Sequence, residues 1–355
     1  MDGAGCCQAR NTEQGYGTNM MIQRSKYFLL VGLLSSCLLG CQQERSDESP
    51  VRVGMMPKLM GISFFDAAGR GAHEAAEELG IDLTYDGPTE DNAEQQAEMI
   101  DAWVAQGLDV IAVAPNDPDA IAPTLSSARS QGVKVITWDT DADAVSSKRS
   151  IFVNQAPVEG IANALVDVMV RGAGEENKLK GQFVIISGTK TAANQNAWME
   201  VMIPRLQEEY PDCELLETRY PTEDQLKARE ETANLLAAYP DLKGIWAITS
   251  VALPAAAKAV RDAGRQDQVF VTGLSLPSLM RDYVEDGTVK EFVLFDVEKL
   301  GYLTVQVAAA LHRNPLQPQE GRTMGKLESI RITEQEVILG EPLIFDRDNI
   351  EQYDF

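Results

Sequence analysis

The sequence predicts an α/β fold made of two doubly wound parallel-sheet units. Short apolar runs that suit buried strands alternate with longer amphipathic runs that suit helices from Val51 onward, and the whole pattern then repeats. Strands that are apolar throughout are buried on both faces, which is typical of a parallel sheet between two layers of helices. The segment 51–355 is also long enough for two domains of ordinary size.

The first unit contains four predicted strands, which are 51–56, 80–85, 109–114 and 132–138. Three predicted helices separate them, at 64–79, 92–106 and 121–131. The third strand is apolar after its first residue, as expected in the middle of a parallel sheet. Gly107 follows the second helix, where glycine is a usual terminating residue. Alanine and glycine share one face of the first helix, which predicts a close contact with a neighbouring element.

The second unit repeats the order of helix and strand. Its predicted helices are 157–170, 194–210, 224–239 and 253–263. Its predicted strands are 182–187, 214–218, 244–248 and 269–273. Near the end of the chain, 330–333 and 336–340 predict a short hairpin, followed by an apolar segment at 342–346. Ligands of doubly wound sheets bind at the carboxyl ends of the strands, so two such units predict a ligand site between them.

An apolar run, 27–41, follows the short basic segment 24–26 and ends in Leu-Leu-Gly-Cys41. This pattern resembles a bacterial lipoprotein signal peptide, in which the cysteine is lipidated and becomes the new N-terminus. The run is shorter than the roughly 20 apolar residues that a membrane span requires. The sequence therefore predicts an exported protein of the periplasm or cell envelope, tethered by lipid at Cys41 and followed by a polar spacer, 42–50.

Two details of the signal stay open. Cys37 is preceded by Leu-Ser-Ser and also fits the lipidation pattern, so either cysteine could carry the lipid. The segment 1–19 is unlike the basic start of a signal peptide, so translation could begin at Met20 or Met21.

The charge balance limits the possible partners. The chain carries 54 acidic and 31 basic side chains, for a net charge of −23 at pH 7. Phosphate binding requires concentrated Lys and Arg, so this balance argues against nucleic acid as a partner. It argues equally against adsorption to anionic lipid, which leaves the lipid anchor as the predicted membrane contact.

The sequence gives little support to cofactor or metal chemistry. Only Cys213 lies beyond the signal, so the mature domain cannot form an internal disulfide. His73 and His312 are far apart, and no Cys/His cluster has the spacing of metal ligands. The sequence contains neither a P-loop nor a dinucleotide-binding fingerprint. We expect no cofactor, an exposed helix position for His73, and a helix C-terminus at His312.

Several short segments, most of them at predicted strand ends, point to one known family. They are 56–65, 85–89, 135–141, 154–155, 194–198, 252–257, 277–281, 287–292, 295–297 and 348–355. In these segments the sequence resembles the type I periplasmic sugar-binding proteins that feed ABC transporters. Within that family, the resemblance is to the autoinducer-2-binding receptor and its rhamnose-binding relatives.

The resemblance implies two lobes joined by a three-segment hinge, which close over a small polar ligand. It predicts a first lobe of 51–156 plus about 274–296, and a second lobe of 157–273 plus about 297–355. The implied ligand is a rhamnose-like sugar or autoinducer-2. The implied protein is a monomer whose partner is an ABC transporter permease.

Three site residues of the family match this sequence. They are Lys58 after the first strand, Asp139 after Thr-Trp, and Gln195 before Asn-Ala-Trp. A buried polyhydroxylated ligand needs a protein partner for each hydroxyl. A carboxylate such as Asp139 accepts strong charge-assisted hydrogen bonds, Lys58 can donate to ligand oxygens, and Gln195 can do both. The same residues could instead serve as a solvated loop lysine and a turn-capping aspartate.

Three other positions depart from the receptor. Asn194 replaces its aspartate, while Ile248 and Ser250 replace a proline and an alanine, which leaves the ligand open. Asn194 is also a favourable helix N-cap, so its side chain could serve the helix instead. We predict Asp296 as a second acceptor from the other side of the site. Trp138 could stack on a sugar ring, although Trp beside a strand end usually belongs to the core.

Two other function classes compete with a binding protein. A secreted carbohydrate-acting enzyme could use Asp139, Asp141 and Asp143, but these carboxylates share one loop rather than flanking a cleft. A sugar-sensing transcription regulator would need an N-terminal DNA-binding motif, where this sequence has a signal peptide. Autoinducer-2 sensing, rather than nutrient uptake, is a further alternative within the binding class.

Overall fold

The structure is a computed structural model that describes residues 49–173 and 178–355. The predicted signal 1–41, with Cys37 and Cys41, lies outside the described residues, as does most of the predicted spacer 42–50. The strands of the described residues are β1 (Arg52–Met56), β2 (Asp82–Tyr85), β3 (Val110–Val113), β4 (Lys134–Trp138), β5 (Phe152–Asn154), β6 (Gly181–Ile186), β7 (Cys213–Arg219), β8 (Leu242–Ala247), β9 (Phe270–Gly273), β10 (Phe292–Leu294), β11 (Gln319–Met324), β12 (Leu327–Ile332), β13 (Glu336–Ile338) and β14 (Leu343–Phe345).

The helices of the same residues are α1 (Ser63–Leu79), α2 (Ala93–Ala105), α3 (Pro118–Ser130), α4 (Ala144–Ser147), α5 (Val158–Ala173), α6 (Ala193–Glu209), α7 (Gln225–Ala238), α8 (Ala252–Asp262), α9 (Pro277–Glu285) and α10 (Val297–Arg313). Within these ranges, no helix combines the length and the apolar character that crossing a bilayer demands.

The first lobe is built on a sheet of eight strands in the order β11-β12-β13-β5-β4-β3-β1-β2. Neighbouring strands run parallel from β13 to β2, and β12 and β11 extend one edge as antiparallel strands. Every residue of β3 is buried, as predicted for a strand covered on both faces. The carboxyl ends of β1, β3, β4 and β5 therefore meet at one edge of this sheet.

The second lobe is built on four parallel strands in the order β7-β6-β8-β9. An antiparallel pair, β10 and β14, adjoins β9 through a single bridge between Leu274 and Val293. Helices α5 to α9 belong to this lobe by chain order between β5 and β10. The predicted α/β fold with two doubly wound lobes is confirmed.

The chain passes between the two sheets three times. The crossover segments are 155–157 after β5, 295–296 after β10, and 339–342 after β13. Three crossovers are what the resemblance implied for the hinge. They place the carboxyl ends of both sheets on either side of one cleft.

The predicted lobe boundaries are wrong for 274–294 and 297–338, whereas β14 lies in the second lobe as predicted. The segment 274–294 belongs to the second lobe, because β10 pairs with β14 beside β9. The segment 297–338 belongs to the first lobe, because α10 packs on α1 and β13 hydrogen-bonds to β5. The order of elements along the chain does not reveal these pairings, since β13 joins β5 from a distant part of the sequence.

The predicted close face of α1 is confirmed by its contact with α10. A Cβ atom at Gly71 would lie 1.8 Å from the carbonyl oxygen of Glu298, and one at Gly301 would lie 1.8 Å from that of Ala68. Any larger residue at either position would push the helices apart. The predicted C-terminal hairpin is also confirmed, with Ile332 opposite Val337 in antiparallel β12 and β13.

Candidate functional site

Side chains from both lobes line a cavity of about 420 Å³, counting the part open to solvent. Six of the seven predicted site residues line it: Lys58, Asp139, Asn194, Gln195, Ile248 and Ser250.

The first lobe contributes a buried ion pair. Lys58 follows β1 and Asp139 follows β4, so both side chains stand at the carboxyl edge of the parallel sheet. Lys58 Nζ lies 3.9 Å from Asp139 Oδ2, and the two side chains are only 8% and 5% exposed. A buried pair at this distance offers its remaining hydrogen-bonding capacity to the cavity.

Asp139 is held in a conformation that aspartate adopts more readily than most residues. Its φ of 59° lies in the left-handed region. Burial raises the pKa of Asp139, and the Lys58 ammonium and the Thr140 hydroxyl oppose that rise. The strained backbone and the desolvated carboxylate are both features that cluster at ligand sites.

The second lobe contributes Asn194 and Gln195 from the first turn of α6. Lys58 Nζ donates to Asn194 Oδ1 at 3.2 Å, which is a hydrogen bond from one lobe to the other. Gln195 is buried, and its Oε1 accepts from the backbone N–H of Gly188 at 3.3 Å. Asn194 is not the N-cap of α6, whose N-cap position is Ala192. Its Oδ1 nevertheless accepts from the N–H of Gln195 at 3.0 Å, so the side chain serves the first turn of the helix as well as the cavity.

The residues after β8 form another wall of the cavity. Ile248 is fully buried and its N–H donates to the carbonyl of Ile186 at 2.8 Å. Thr249 Oγ1 accepts from the N–H of Ala252 at 2.9 Å at the start of α8. This turn presents an apolar side chain and the half-buried Ser250 to the same space.

Aromatic rings supply the apolar surface of the cavity. Phe64, Phe65, Trp198 and Phe295 all line it and are buried. Phe64 lies edge-on to Phe65 and Phe295, with ring centroids 5.0 Å and 6.0 Å apart. Rings fixed in this way offer flat apolar faces to the C–H groups of a sugar.

Trp138 has a different place. Its ring is fully buried, and Nε1 donates to the carbonyl of Met56 at 3.0 Å. It is not among the residues that line the cavity, and it packs edge-on against Phe65 at 5.7 Å. Trp138 therefore supports the aromatic wall from behind, as the core interpretation expects.

Glu223 is a cavity residue that the sequence analysis missed. It lies in the loop between β7 and α7, directly before Asp224, which caps α7. Burial raises the pKa of Glu223 to about 6, while the Lys58 ammonium opposes the rise and Asp139 adds to it. The signal available was its position after a strand of the second lobe, at the same edge of the sheet as Gln195 and Ser250.

Asp296 does not line the cavity, and its prediction as a second acceptor there is wrong. Its Oδ1 accepts from the N–H of Lys299 at 3.0 Å, which makes it the N-cap of α10. Its Oδ2 lies 2.8 Å from Lys299 Nζ. Both oxygens are thus engaged with the first turn of the helix, a role for which aspartate is well suited.

The other loop carboxylates and the histidines also lie elsewhere. Asp141 pairs with Arg149 at 2.5 Å, and Asp143 caps α4 through the N–H of Ser146. His73 and His312 are exposed, the first within α1 and the second in the last turn of α10. Within 49–173 and 178–355, no group of three His, Cys, Asp or Glu side chains could hold a metal ion.

Comparison with known proteins identifies the family. A model of the periplasmic binding protein domain matches residues 53–314. The ribose import binding protein of Escherichia coli is 24% identical over 285 residues, which cover 79% of this chain and 90% of that protein.

Two solved structures resemble this one closely. An ABC transporter solute-binding protein from Clostridium phytofermentas with bound L-rhamnose is 30% identical, with a TM-score of 0.79, and the match covers 86% of this chain and 98% of that one. The LsrB protein from Clostridium saccharobutylicum in complex with AI-2 is 26% identical, with a TM-score of 0.80 and coverage of 86% and 100%. The chain therefore belongs to the periplasmic binding protein family, among the sugar-binding solute receptors of ABC transporters.

Proposed function

We propose that this protein captures a small polyhydroxylated ligand between its two lobes and presents it to an ABC transporter permease. The observation that carries the proposal is the cavity itself, where Lys58 and Asp139 of one lobe face Asn194 and Gln195 of the other. A ligand that bonds to both lobes makes more contacts when the cleft is closed. Closure is then the signal that the permease detects.

The candidate ligands are a rhamnose-like sugar and autoinducer-2. Both are supported by similarity, since one solved relative holds L-rhamnose and another holds AI-2. Asn194, Ile248 and Ser250 depart from the receptor pattern and lie at the cavity wall. We therefore expect a rhamnose-like sugar to bind more tightly than autoinducer-2, and nutrient uptake to be the role rather than sensing.

Calorimetric titration of the processed protein with L-rhamnose, D-ribose and autoinducer-2 tests this function. Micromolar or tighter binding of one of them would establish the receptor and its ligand class, and the same titration of Asp139→Ala would show that the cavity is the site. A folded protein that gives no heat with any of the three would overturn the proposal. That result would mean that the cavity selects another kind of molecule.

We also propose a lipid anchor at Cys41, with Cys37 as the alternative. A single acyl signal binds membranes weakly, whereas the several chains of a lipoprotein hold it firmly. Labelled palmitate incorporated into cells that express the wild type, Cys41→Ser and Cys37→Ser would decide between them. Loss of the label from Cys41→Ser alone is the expected result, and a wild type that incorporates no label would overturn the anchor.

A further inference from the structure

Glu223 enters the cavity from the loop that joins β7 to α7. The preceding residue, Thr222, has a φ of 64°, and its N–H donates to the carbonyl of Gly188 at 3.1 Å. A left-handed conformation is unfavourable for a β-branched residue and persists only where the surroundings enforce it. The bond to Gly188 ties this loop to the loop after β6, and the strained residue directs the next side chain into the cavity.

The backbone at Asp139, the other carboxylate of the cavity, is also in the left-handed conformation. Four described residues other than glycine have positive φ, and they are Asp139, Lys148, Thr222 and Ser329. Asp139 lines the cavity and Thr222 immediately precedes Glu223, which also lines it. The two cavity carboxylates, one from each lobe, are therefore both presented by backbone that is costly to hold.

A glycine leaves room for two acceptor oxygens at one place in the cavity. A Cβ atom at Gly188 would lie 2.7 Å from Glu223 Oε1 and 2.8 Å from Gln195 Oε1. A side chain at Gly188 would force the ends of the Glu223 and Gln195 side chains to move away from their present positions. The absence of a side chain at Gly188 thus lets the two oxygens converge on the same side of the second lobe.

The two carboxylates of the cavity differ in whether a cation lies within ion-pair distance. Lys58 pairs with Asp139 and donates to Asn194. Among the described residues, the ion pairs within 4.0 Å do not include Glu223. Burial raises its pKa to about 6; Lys58 and a hydrogen bond from the Thr249 hydroxyl oppose the rise, and Asp139 and Asp91 of the first lobe add to it.

We propose that Glu223 is the ligand-contacting carboxylate of the second lobe, and that it selects ligands whose hydroxyl groups can donate to it while others reach Asp139. An ionised carboxylate without a cation partner is stabilised by hydroxyl donors that arrive with the ligand. Because Glu223 and Asp139 lie on opposite lobes, a ligand that bonds to both favours the closed state. This assignment rests on the proposed function and adds the residue that sets its specificity.

Substitution of Glu223 by glutamine tests the assignment, because glutamine keeps the shape and removes the charge. Titrations would use L-rhamnose, D-ribose and autoinducer-2 at neutral pH. For the probe that the wild type binds best, we expect Glu223→Gln to weaken binding by about ten- to a hundredfold, since bonds to a charged acceptor are the stronger kind. The matched control is Glu230→Gln, an exposed position on α7, which should bind like the wild type.

A series of titrations at different pH values distinguishes direct contact between Glu223 and the ligand from a purely structural role of Glu223. Lys58, Asp139 and Asp91 are the charged groups that face Glu223, and all three are present in both proteins. As Glu223 takes up a proton below about pH 6, the wild type should lose most of its advantage, and the ratio of the two affinities should fall by about five- to ninefold between pH 7 and pH 5.

Equal affinities at neutral pH, or a ratio that does not change with pH, would overturn the assignment while leaving the proposed function intact. A wild type that binds none of the three probes would overturn the proposed function and the assignment together.

Discussion

The two sides of the cleft differ in how far their charges are satisfied before any ligand arrives. On the first lobe, Lys58 and Asp139 form a buried pair, and each group has a partner in the protein. On the second lobe, Gln195 and Glu223 present acceptor oxygens, and Glu223 has no cation of its own within ion-pair distance among the described residues. The charges of the first lobe are thus paired within the protein, whereas the Glu223 carboxylate of the second lobe can accept further hydrogen bonds from a ligand.

This difference indicates that the two lobes have different roles in ligand binding. The pair on the first lobe matches the family pattern, while the second lobe carries the departures Asn194, Ile248 and Ser250. A ligand that first binds to the first lobe, whose charges are already paired, would then have to donate hydrogen bonds to the acceptors of the second lobe as the cleft closes.

The largest effect is expected from Asp139→Ala. The change removes a charge-assisted acceptor and leaves Lys58 buried without its carboxylate, so ligand affinity should fall by more than about tenfold. Calorimetry with the best probe measures this, and circular dichroism checks that the fold is intact. Asp119→Ala, an exposed aspartate on α3 of the same lobe, is the control and should bind normally. Unchanged affinity in Asp139→Ala would place the site elsewhere.

Lys58→Met should destabilise the protein, because it removes the cation beside a buried carboxylate. Loss of one partner of a buried pair typically lowers the free energy of unfolding by about 3 kcal/mol. Burial already raises the pKa of Asp139, and without Lys58 the pKa would rise further. The variant binds its proton more tightly when folded, so its deficit at neutral pH should shrink as the pH falls.

Urea unfolding at neutral pH and at about pH 5 measures that deficit. A deficit that is the same at both pH values would show that the ion pair is not its cause.

Glu223→Gln should have the opposite effect on the ligand-free protein. The pKa of Glu223 in the folded protein, about 6, exceeds its ordinary value of 4.5, so the ionised side chain costs stability as the pH rises through this interval. At neutral pH the variant should gain about 1–2 kcal/mol in free energy of unfolding. The gain should vanish below the ordinary pKa, where both states are protonated.

The same urea experiment, with Glu230→Gln as its control, measures the gain. A variant that is less stable than the wild type at neutral pH would mean that Glu223 supports the fold. The comparison of the two lobes would then lose its basis.

Sequence reasoning located the site through strand order and family pattern. Lys58, Asp139 and Gln195 each follow a strand, and the carboxyl ends of parallel strands are bound to meet at one edge of a sheet. The cleft is predicted from this rule, and the family pattern then selects the six predicted residues that line it. The rule applies without knowing which strands that lie far apart in the sequence pair with each other.

What the sequence could not predict depends on contacts that leave no local pattern. The place of α10 on α1 and of β13 beside β5 is decided by tertiary packing, so the lobe boundaries after residue 273 were misplaced. Glu223 is one glutamate among many acidic residues, and only the left-handed conformation of Thr222 aims it into the cavity. A positive φ at threonine cannot be foreseen from the residue type, which disfavours it.

Asp296→Ala should have the smallest effect and should separate capping from binding. The aspartate accepts from the N–H of Lys299 and pairs with its side chain, so alanine should cost about 1 kcal/mol in free energy of unfolding. Ligand affinity should stay within about twofold of the wild type, because the group lies outside the cavity. Asp296→Asn keeps an N-cap acceptor and should recover most of the stability. A large loss of affinity in both variants would show that the second crossover, where Asp296 lies, controls closure.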